Sequence, residues 1–298
     1  MSTAFPDALL RPSPLDAAAS AAGNLAVMQA LRAQHLRVVF QPQYALPTLQ
    51  LCGFEALVRL GVGDADDGGE WLTPERFLPL AQAAGLMGAL TLFMAESACR
   101  ALKAWRDSGH APVFIAVNIE PDDLADVLFA PRICGLLAAY GIGPGQLQME
   151  LVERNALHGG DTAHTNIRLL RAAGVRMAMD DFGTGHSSLS HLSDIPFDIV
   201  KIDKTFLARI PSDALACTLM TSVINMCLAL RKEVVVEGVE CDAQLHWLAR
   251  LRWHWVRVQG NRLSYPMSQS EAGDSIPRHA SSLRPLAAGA RGQATDAR

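Results

Sequence analysis

The sequence predicts an α/β fold, a barrel of parallel strands wrapped by helices, and two observations carry that prediction. Short β-branched or apolar runs alternate with longer stretches of helical pattern, and nearly every run ends in a carboxylate, amide or amine. The runs are Arg37–Phe40, Leu51–Leu57, Val113–Val117, Leu147–Val152, Val175–Met179, Asp198–Ile202, Glu233–Val236 and Trp255–Val258. Most are separated by enough chain for a helix, which favours a layered α/β architecture over a sandwich. Periodicity alone leaves a closed barrel and an open doubly wound sheet both standing, although no G-x-G-x-x-G follows an early strand to favour the latter.

Composition agrees with a folded chain. Of 298 residues 50% are hydrophobic and 19% charged, enough to bury a sizeable core. Lys and Arg total 26 against 30 Asp and Glu, a net charge of -4, so a duplex nucleic-acid partner is not expected. The six cysteines form no C-x-x-C pair or zinc-spaced cluster and are expected as reduced core residues of a cytoplasmic protein. Two charge-free stretches, Phe77–Ala95 and Ala214–Leu230, are interrupted by Pro, Gly and polar residues. They are expected as buried helices and not as membrane insertions. Residues 1–30 and 271–298 are rich in small residues with little periodicity, and are expected to be loosely ordered extensions around a single barrel at 31–270.

The polar residues at the strand ends are Gln41, Glu55, Asn118, Glu150, Asp180 with Asp181, Lys201, Glu237 and Gln259. In a parallel barrel all carboxyl ends meet at one face, so these residues would converge. Crowded carboxylates raise one another's pKa unless cations neutralise them. Oxygen donors without a Cys or His pair favour Mg²⁺ or Mn²⁺ over Zn²⁺. Adjacent acids such as Asp180 and Asp181 suit a site of two ions, where a water is activated for in-line attack at phosphorus. Lys201 is readable either as an ion-pair partner or as a group that positions the water or stabilises phosphate charge.

At these residues the chain resembles the EAL-domain family of bacterial cyclic di-GMP phosphodiesterases. The resemblance rests on Phe54-Glu55-Ala56-Leu57-Val58-Arg59, supported in order by Phe40-Gln41-Pro42, Val117-Asn118-Ile119 and Glu150-Leu151-Val152-Glu153. It continues through Asp180-Asp181-Phe182-Gly183-Thr184-Gly185-His186-Ser187-Ser188-Leu189, Lys201-Ile202-Asp203-Lys204-Thr205-Phe206, Glu237-Gly238-Val239-Glu240 and Val258-Gln259-Gly260, over about residues 35–267.

The resemblance implies a TIM-like (β/α)8 barrel with a modified first strand. It implies metal ligation by Glu55, Asn118, Glu150 and Asp180, with Asp181 serving a second ion. Lys201 and Glu237 would hold or activate the catalytic water, Gln259 would complete that site, and Glu153 would steady the loop after Asp181. Gln41, Leu57 and Arg59 stand at positions similar to substrate contacts, Arg59 offering a forked donor to a phosphate oxygen. The implied activity is metal-dependent hydrolysis of cyclic di-GMP to linear pGpG by a homodimer. The alternative is a non-catalytic receptor or protein-interaction module on the same fold. No cyclase-type, receiver or membrane-sensor segment is found in the remaining residues, so regulation is expected from a protein partner, dimerisation or substrate level. His186, Glu120 and Asn261 depart from the family pattern, and none of them is a proposed metal ligand or water-activating residue.

Overall fold

The structure is a computed structural model that describes residues 29–30, 35–62, 70–152, 160–183 and 196–277. Strands β1 (Leu36–Ala45) and β2 (Gln50–Val62) form an antiparallel hairpin that sets Gln41 opposite Glu55. A three-residue strand, β3 (Glu70–Leu72), pairs with the outer end of β2. From β2 the sheet continues in parallel through β4 (Phe114–Ile119), β5 (Leu147–Val152), β6 (Arg176–Phe182), β7 (Ile199–Ile202), β8 (Glu233–Val236) and β9 (Val256–Val258). Antiparallel pairing of Tyr44 with Val258 and of Ala45 with Arg257 joins β9 back to β1 and closes the barrel. The closed barrel thus has eight strands, β3 lying outside it, and its first strand runs against the others.

The predicted runs locate all eight barrel strands, with three differences. β1 continues through Pro42 to Ala45 rather than stopping at Phe40, and β2 reaches Val62, so Arg59 lies within the strand. β3 has no counterpart among the predicted runs, three residues being too few to establish a period.

Among the described residues eight α-helices are named, in order: α1 (Pro74–Ala83), α2 (Met87–Asp107), α3 (Pro121–Ala125), α4 (Phe129–Tyr140), α5 (Gly160–Ala172), α6 (Ala214–Ala229), α7 (Asp242–Arg250) and α8 (Gln269–Ser275). Alternation along the strands explains where they pack. Even-numbered β2 residues such as Phe54, Ala56, Val58 and Leu60 are buried beneath helices, and Phe40 and Phe54 meet Trp105 of α2 at ring distances of 5.4 and 5.2 Å. Gly53 is required there, because a Cβ would stand 2.5 Å from the Phe114 carbonyl oxygen of β4.

The sequence-derived boundary at residue 270 falls inside α8. That helix is started by a Ser268/Glu271 capping box, buries Ala272 and Ile276, and receives the Trp105 indole N–H on the Gln269 carbonyl at 3.1 Å. The start of the proposed tail, residues 271–277, is therefore docked structure, whereas 278–298 lie outside the described residues. Phe77–Ala95 spans parts of two helices, and no described helix is long and apolar enough to cross a membrane. The second stretch is α6, and it is only half buried: Met220, Ile224 and Cys227 face the core while Leu215 and Leu219 are 75% and 53% exposed. The absence of charge concealed this amphipathic division. Of the cysteines, Cys99 and Cys227 are in the core, Cys52, Cys134 and Cys217 are partly covered, and Cys241 is exposed.

Candidate active site

The inward face of the barrel is polar at its carboxyl end, and its centre is Lys201 of β7. The Lys201 Nζ lies 2.5 Å from Glu150 Oε2, 2.8 Å from Glu237 Oε1, 3.1 Å from Asp180 Oδ1 and 3.7 Å from Glu55 Oε2. Strand alternation produces this meeting: Glu150 and Asp180 are inward positions of β5 and β6, Glu237 follows the last residue of β8, and Glu55 comes across the barrel from β2. Lys201, Glu150, Glu55 and Asp180 are all buried.

β6 departs from regular alternation here. Its register against β7 slips between Met179 and Phe182, Asp181 takes a left-handed φ of 56°, and its N–H donates to its neighbour Asp180 Oδ1 at 2.9 Å. Two consecutive acids therefore reach the same mouth. Carboxylate oxygens of Asp180, Asp181 and Glu237 lie within 4.8 Å of one another. Left-handed backbone at a non-glycine residue costs energy and is concentrated at functional sites.

On the opposite side, the Asn118 amide donates to Glu55 Oε1 at 3.0 Å and Gln259 Nε2 donates to Glu55 Oε2 at 2.6 Å. Gln259 Nε2 also donates to Gln41 Oε1 at 3.0 Å, tying β9 to β1 above the closure point. Both oxygens of Glu55 are thus oriented by amides.

The electrostatics are those of four acids sharing one base. Burial pushes the Glu150 carboxyl well above the usual carboxylate range against the pull of Lys201, and burial pushes Glu237 up to about 8 against the same pull. Burial alone would lower Lys201, but Asp180, Glu150, Glu237 and Glu55 together override it and hold the ammonium well above its ordinary value. Carboxylates in excess of one ammonium, with no sulfur or imidazole among them, fit hard divalent cations.

The structure brings together nine of the residues expected from sequence: Gln41, Glu55, Asn118, Glu150, Asp180, Asp181, Lys201, Glu237 and Gln259. Leu57 and Arg59 continue the odd-numbered face of β2 beyond Glu55 and are half-buried. The Arg59 guanidinium donates to the Val58 carbonyl at 2.8 Å, and burial lowers it from its ordinary value against the pull of Glu75. Glu153 lies outside the described residues, as does the loop from Thr184 through His186 to Leu189.

Two departures from the family pattern have local roles. The Asn261 side-chain oxygen accepts from Gln41 Nε2 at 3.4 Å, and Glu120 stands at the start of α3, where its N–H donates to Asp123 Oδ2 at 2.9 Å. Sequence reasoning missed the polar layer beneath the site, Gln43, Gln148, Arg176, Glu233 and Arg257. Its signal was available in the period of two, since Gln43 and Arg257 stand two positions from Gln41 and Gln259.

The sequence profile described as EAL domain matches residues 24–266. This chain belongs to the EAL domain family. Among curated relatives of this EAL domain chain, the bifunctional diguanylate cyclase/cyclic di-GMP phosphodiesterase MucR of Pseudomonas aeruginosa is 33% identical over 255 residues, covering 83% of this chain and 35% of MucR. The probable cyclic di-GMP phosphodiesterase PdeB of Escherichia coli is 34% identical over 230 residues, covering 77% of this chain and 42% of PdeB. The chain therefore spans less than half the length of these relatives. Among solved structures, the PaMucR phosphodiesterase in complex with c-di-GMP superposes with a TM-score of 0.74 at 31% identity, covering 84% of this chain and 99% of that one.

Proposed function

We propose that this EAL domain hydrolyses cyclic di-GMP to linear pGpG with two divalent cations, Mg²⁺ or Mn²⁺, at the mouth of the barrel. The observation that carries the reading is the meeting of Lys201 with Glu55, Glu150, Asp180 and Glu237 within 3.7 Å. Similarity to MucR, which is named as a phosphodiesterase, supports the substrate.

In this reading Glu55, Asn118, Glu150, Asp180 and Asp181 would hold the ions, which would lower the pKa of water and offset charge on phosphate oxygens. Lys201 and Glu237 orient the attacking water, whose oxygen bonds to phosphorus as one bridging P–O bond breaks in line. The released ribose oxygen takes up the proton that the water gives up, leaving a linear dinucleotide with a terminal phosphate. Gln259 holds Glu55 in place, Glu153 steadies the loop after Asp181, and Gln41, Leu57 and Arg59 line the substrate side, Arg59 as donor to the phosphate not being cleaved. The domain acts as a homodimer in the cytoplasm, its extent being the 31–270 barrel together with α8.

The test is chromatographic product analysis of the purified chain with cyclic di-GMP and Mg²⁺ or Mn²⁺, beside Glu55→Ala and a chelator control. Appearance of pGpG, lost in both controls, is the expected result. Intact substrate with saturable binding would place the chain among receptors instead.

A further inference from the structure

From below the carboxylate cluster up to it, five side chains are linked on a one-way path of hydrogen bonds. Arg257 Nη1 donates to Gln43 Oε1 at 2.8 Å, and Gln43 Nε2 donates to Gln259 Oε1 at 2.9 Å. Gln259 Nε2 then donates to Glu55 Oε2 at 2.6 Å and to Gln41 Oε1 at 3.0 Å. Gln41 Nε2 ends the path on the Ser264 carbonyl at 3.3 Å. Gln43, Gln259 and Arg257 are buried, at 0%, 4% and 4% exposure, so water does not substitute for a missing partner.

A glutamine amide presents either a donor or an acceptor to a given neighbour by turning over, and its neighbours decide which. Arg has donors only. The atom of Gln43 that faces Arg257 must therefore be oxygen, which turns its nitrogen to Gln259, which in turn sends the Gln259 nitrogen to Glu55. The opposite setting would press an amide oxygen against the Glu55 carboxylate.

Arg257 is itself fixed from below. Its Nη2 lies 3.3 Å from Glu233 Oε2, its guanidinium stacks 4.5 Å from the Phe114 ring, and Arg176 holds the same Glu233 oxygen at 2.9 Å. Its Nε is buried without a hydrogen-bond partner among the described residues, an uncompensated cost of keeping a guanidinium here.

We infer that Arg257 is a positioning residue: through Gln43 it sets the amide orientation of Gln259 and so the hydrogen bond that holds Glu55 in the metal-binding cluster. The inference rests on the phosphodiesterase reading for its effect on turnover, but the orientation itself is measurable without turnover. Gln43→Glu is the decisive variant. At pH 8 it keeps a partner for Arg257 while offering only acceptors, which turns the Gln259 nitrogen away from Glu55.

The Gln259 side-chain amide is followed in ¹H–¹⁵N spectra of the chelated protein, assigned by its loss in Gln259→Met. A downfield proton resonance in the wild type, displaced upfield in Gln43→Glu and in Arg257→Met but retained in Arg257→Lys, is expected. Turnover at saturating Mg²⁺ should fall at least about tenfold in Gln43→Glu and Arg257→Met, mainly in kcat, and stay within about threefold in Arg257→Lys. An unmoved resonance in Gln43→Glu would overturn the inference, as would Arg257→Lys losing as much as Arg257→Met. If Gln43→Glu does not fold, the Lys and Met variants decide. If the wild type fails to cleave cyclic di-GMP, the phosphodiesterase reading falls and the resonance alone decides this one.

Discussion

Lys201 Nζ and Glu150 Oε2 meet at 2.5 Å in a pair that is 1% exposed on each side, the most buried ion pair of the described residues. Three further carboxyl groups lie within 3.7 Å of the same nitrogen, so one ammonium is shared among four acids.

Removing it should therefore expose the repulsion it suppresses. Lys201→Met is expected to lose about 3–5 kcal/mol of stability in chelator, the cost of leaving a buried charge unpaired. Millimolar Mg²⁺ should restore a substantial part of that loss while turnover stays at least about a hundredfold down. Urea unfolding with and without Mg²⁺ checks the first claim, product analysis the second. A variant as stable as the wild type in chelator would contradict the charge argument.

The pH dependence of the metal-free protein has a definite sign. Glu237, pushed up to about 8, and Glu150, also raised, are acids that the folded state prefers protonated relative to the ordinary value of 4.5. The folded chain then binds more protons than the unfolded one, so stability declines as pH rises from about 4.5 towards 8. Lys201 is raised from 10.5 and contributes evenly through that window. Melting curves in EDTA should fall in Tm between pH 5.5 and 8, and saturating Mg²⁺ should flatten the slope. A level curve in EDTA would count against it.

Gly238 fixes the direction in which the chain leaves Glu237. Its φ is +65° and an added Cβ would stand 2.3 Å from Lys204 Cβ, whereas Gly85, at φ +67°, has nothing within 4 Å. Gly85→Ala should cost about 1–2 kcal/mol for the backbone alone. Gly238→Ala should cost about 1–3 kcal/mol more from overpacking and should lower turnover, because Glu237 must move with it. Equal Tm losses for the two would remove the steric part of the argument.

Arg59 sits on the site-facing side of β2 beyond Glu55 and Leu57. If it grips the phosphate not undergoing cleavage, Arg59→Lys should raise KM about tenfold with kcat within about twofold, because a forked contact becomes a single one. Steady-state kinetics with cyclic di-GMP measure this; a pure kcat effect would move Arg59 to the reacting centre.

Much of this architecture was legible in the sequence because a barrel strand advertises itself twice, by an apolar run and by the polar residue at its end. Glu150 after Leu147-Gln148-Met149 and Lys201 after Ile199-Val200 are examples. The features that escaped lack one of those signals. β3 is too short for a period, Pro42 concealed the continuation of β1, and the register slip that delivers Asp181 beside Asp180 exists only through pairing with β7. Gln43 and Arg257 carried the period-two signal but were passed over for a different reason. Inside most proteins an inward position is apolar, and only the meeting of β1 with β9 gives these two polar groups each other.

Closure through β1 has a bearing on biogenesis. The strand that begins the barrel cannot acquire its second neighbour until the segment around Val256–Val258 has left the ribosome, more than two hundred residues later. Until then the edges of β1 and β8 are open to other chains, the exposure that makes nascent sheets prone to aggregation. The last strand also brings Arg257 and Gln259, so sealing the cylinder and completing the Glu55 setting are one event. A nonsense mutation before Val256 would leave no dormant but intact scaffold, only an unsealed sheet for proteases to clear.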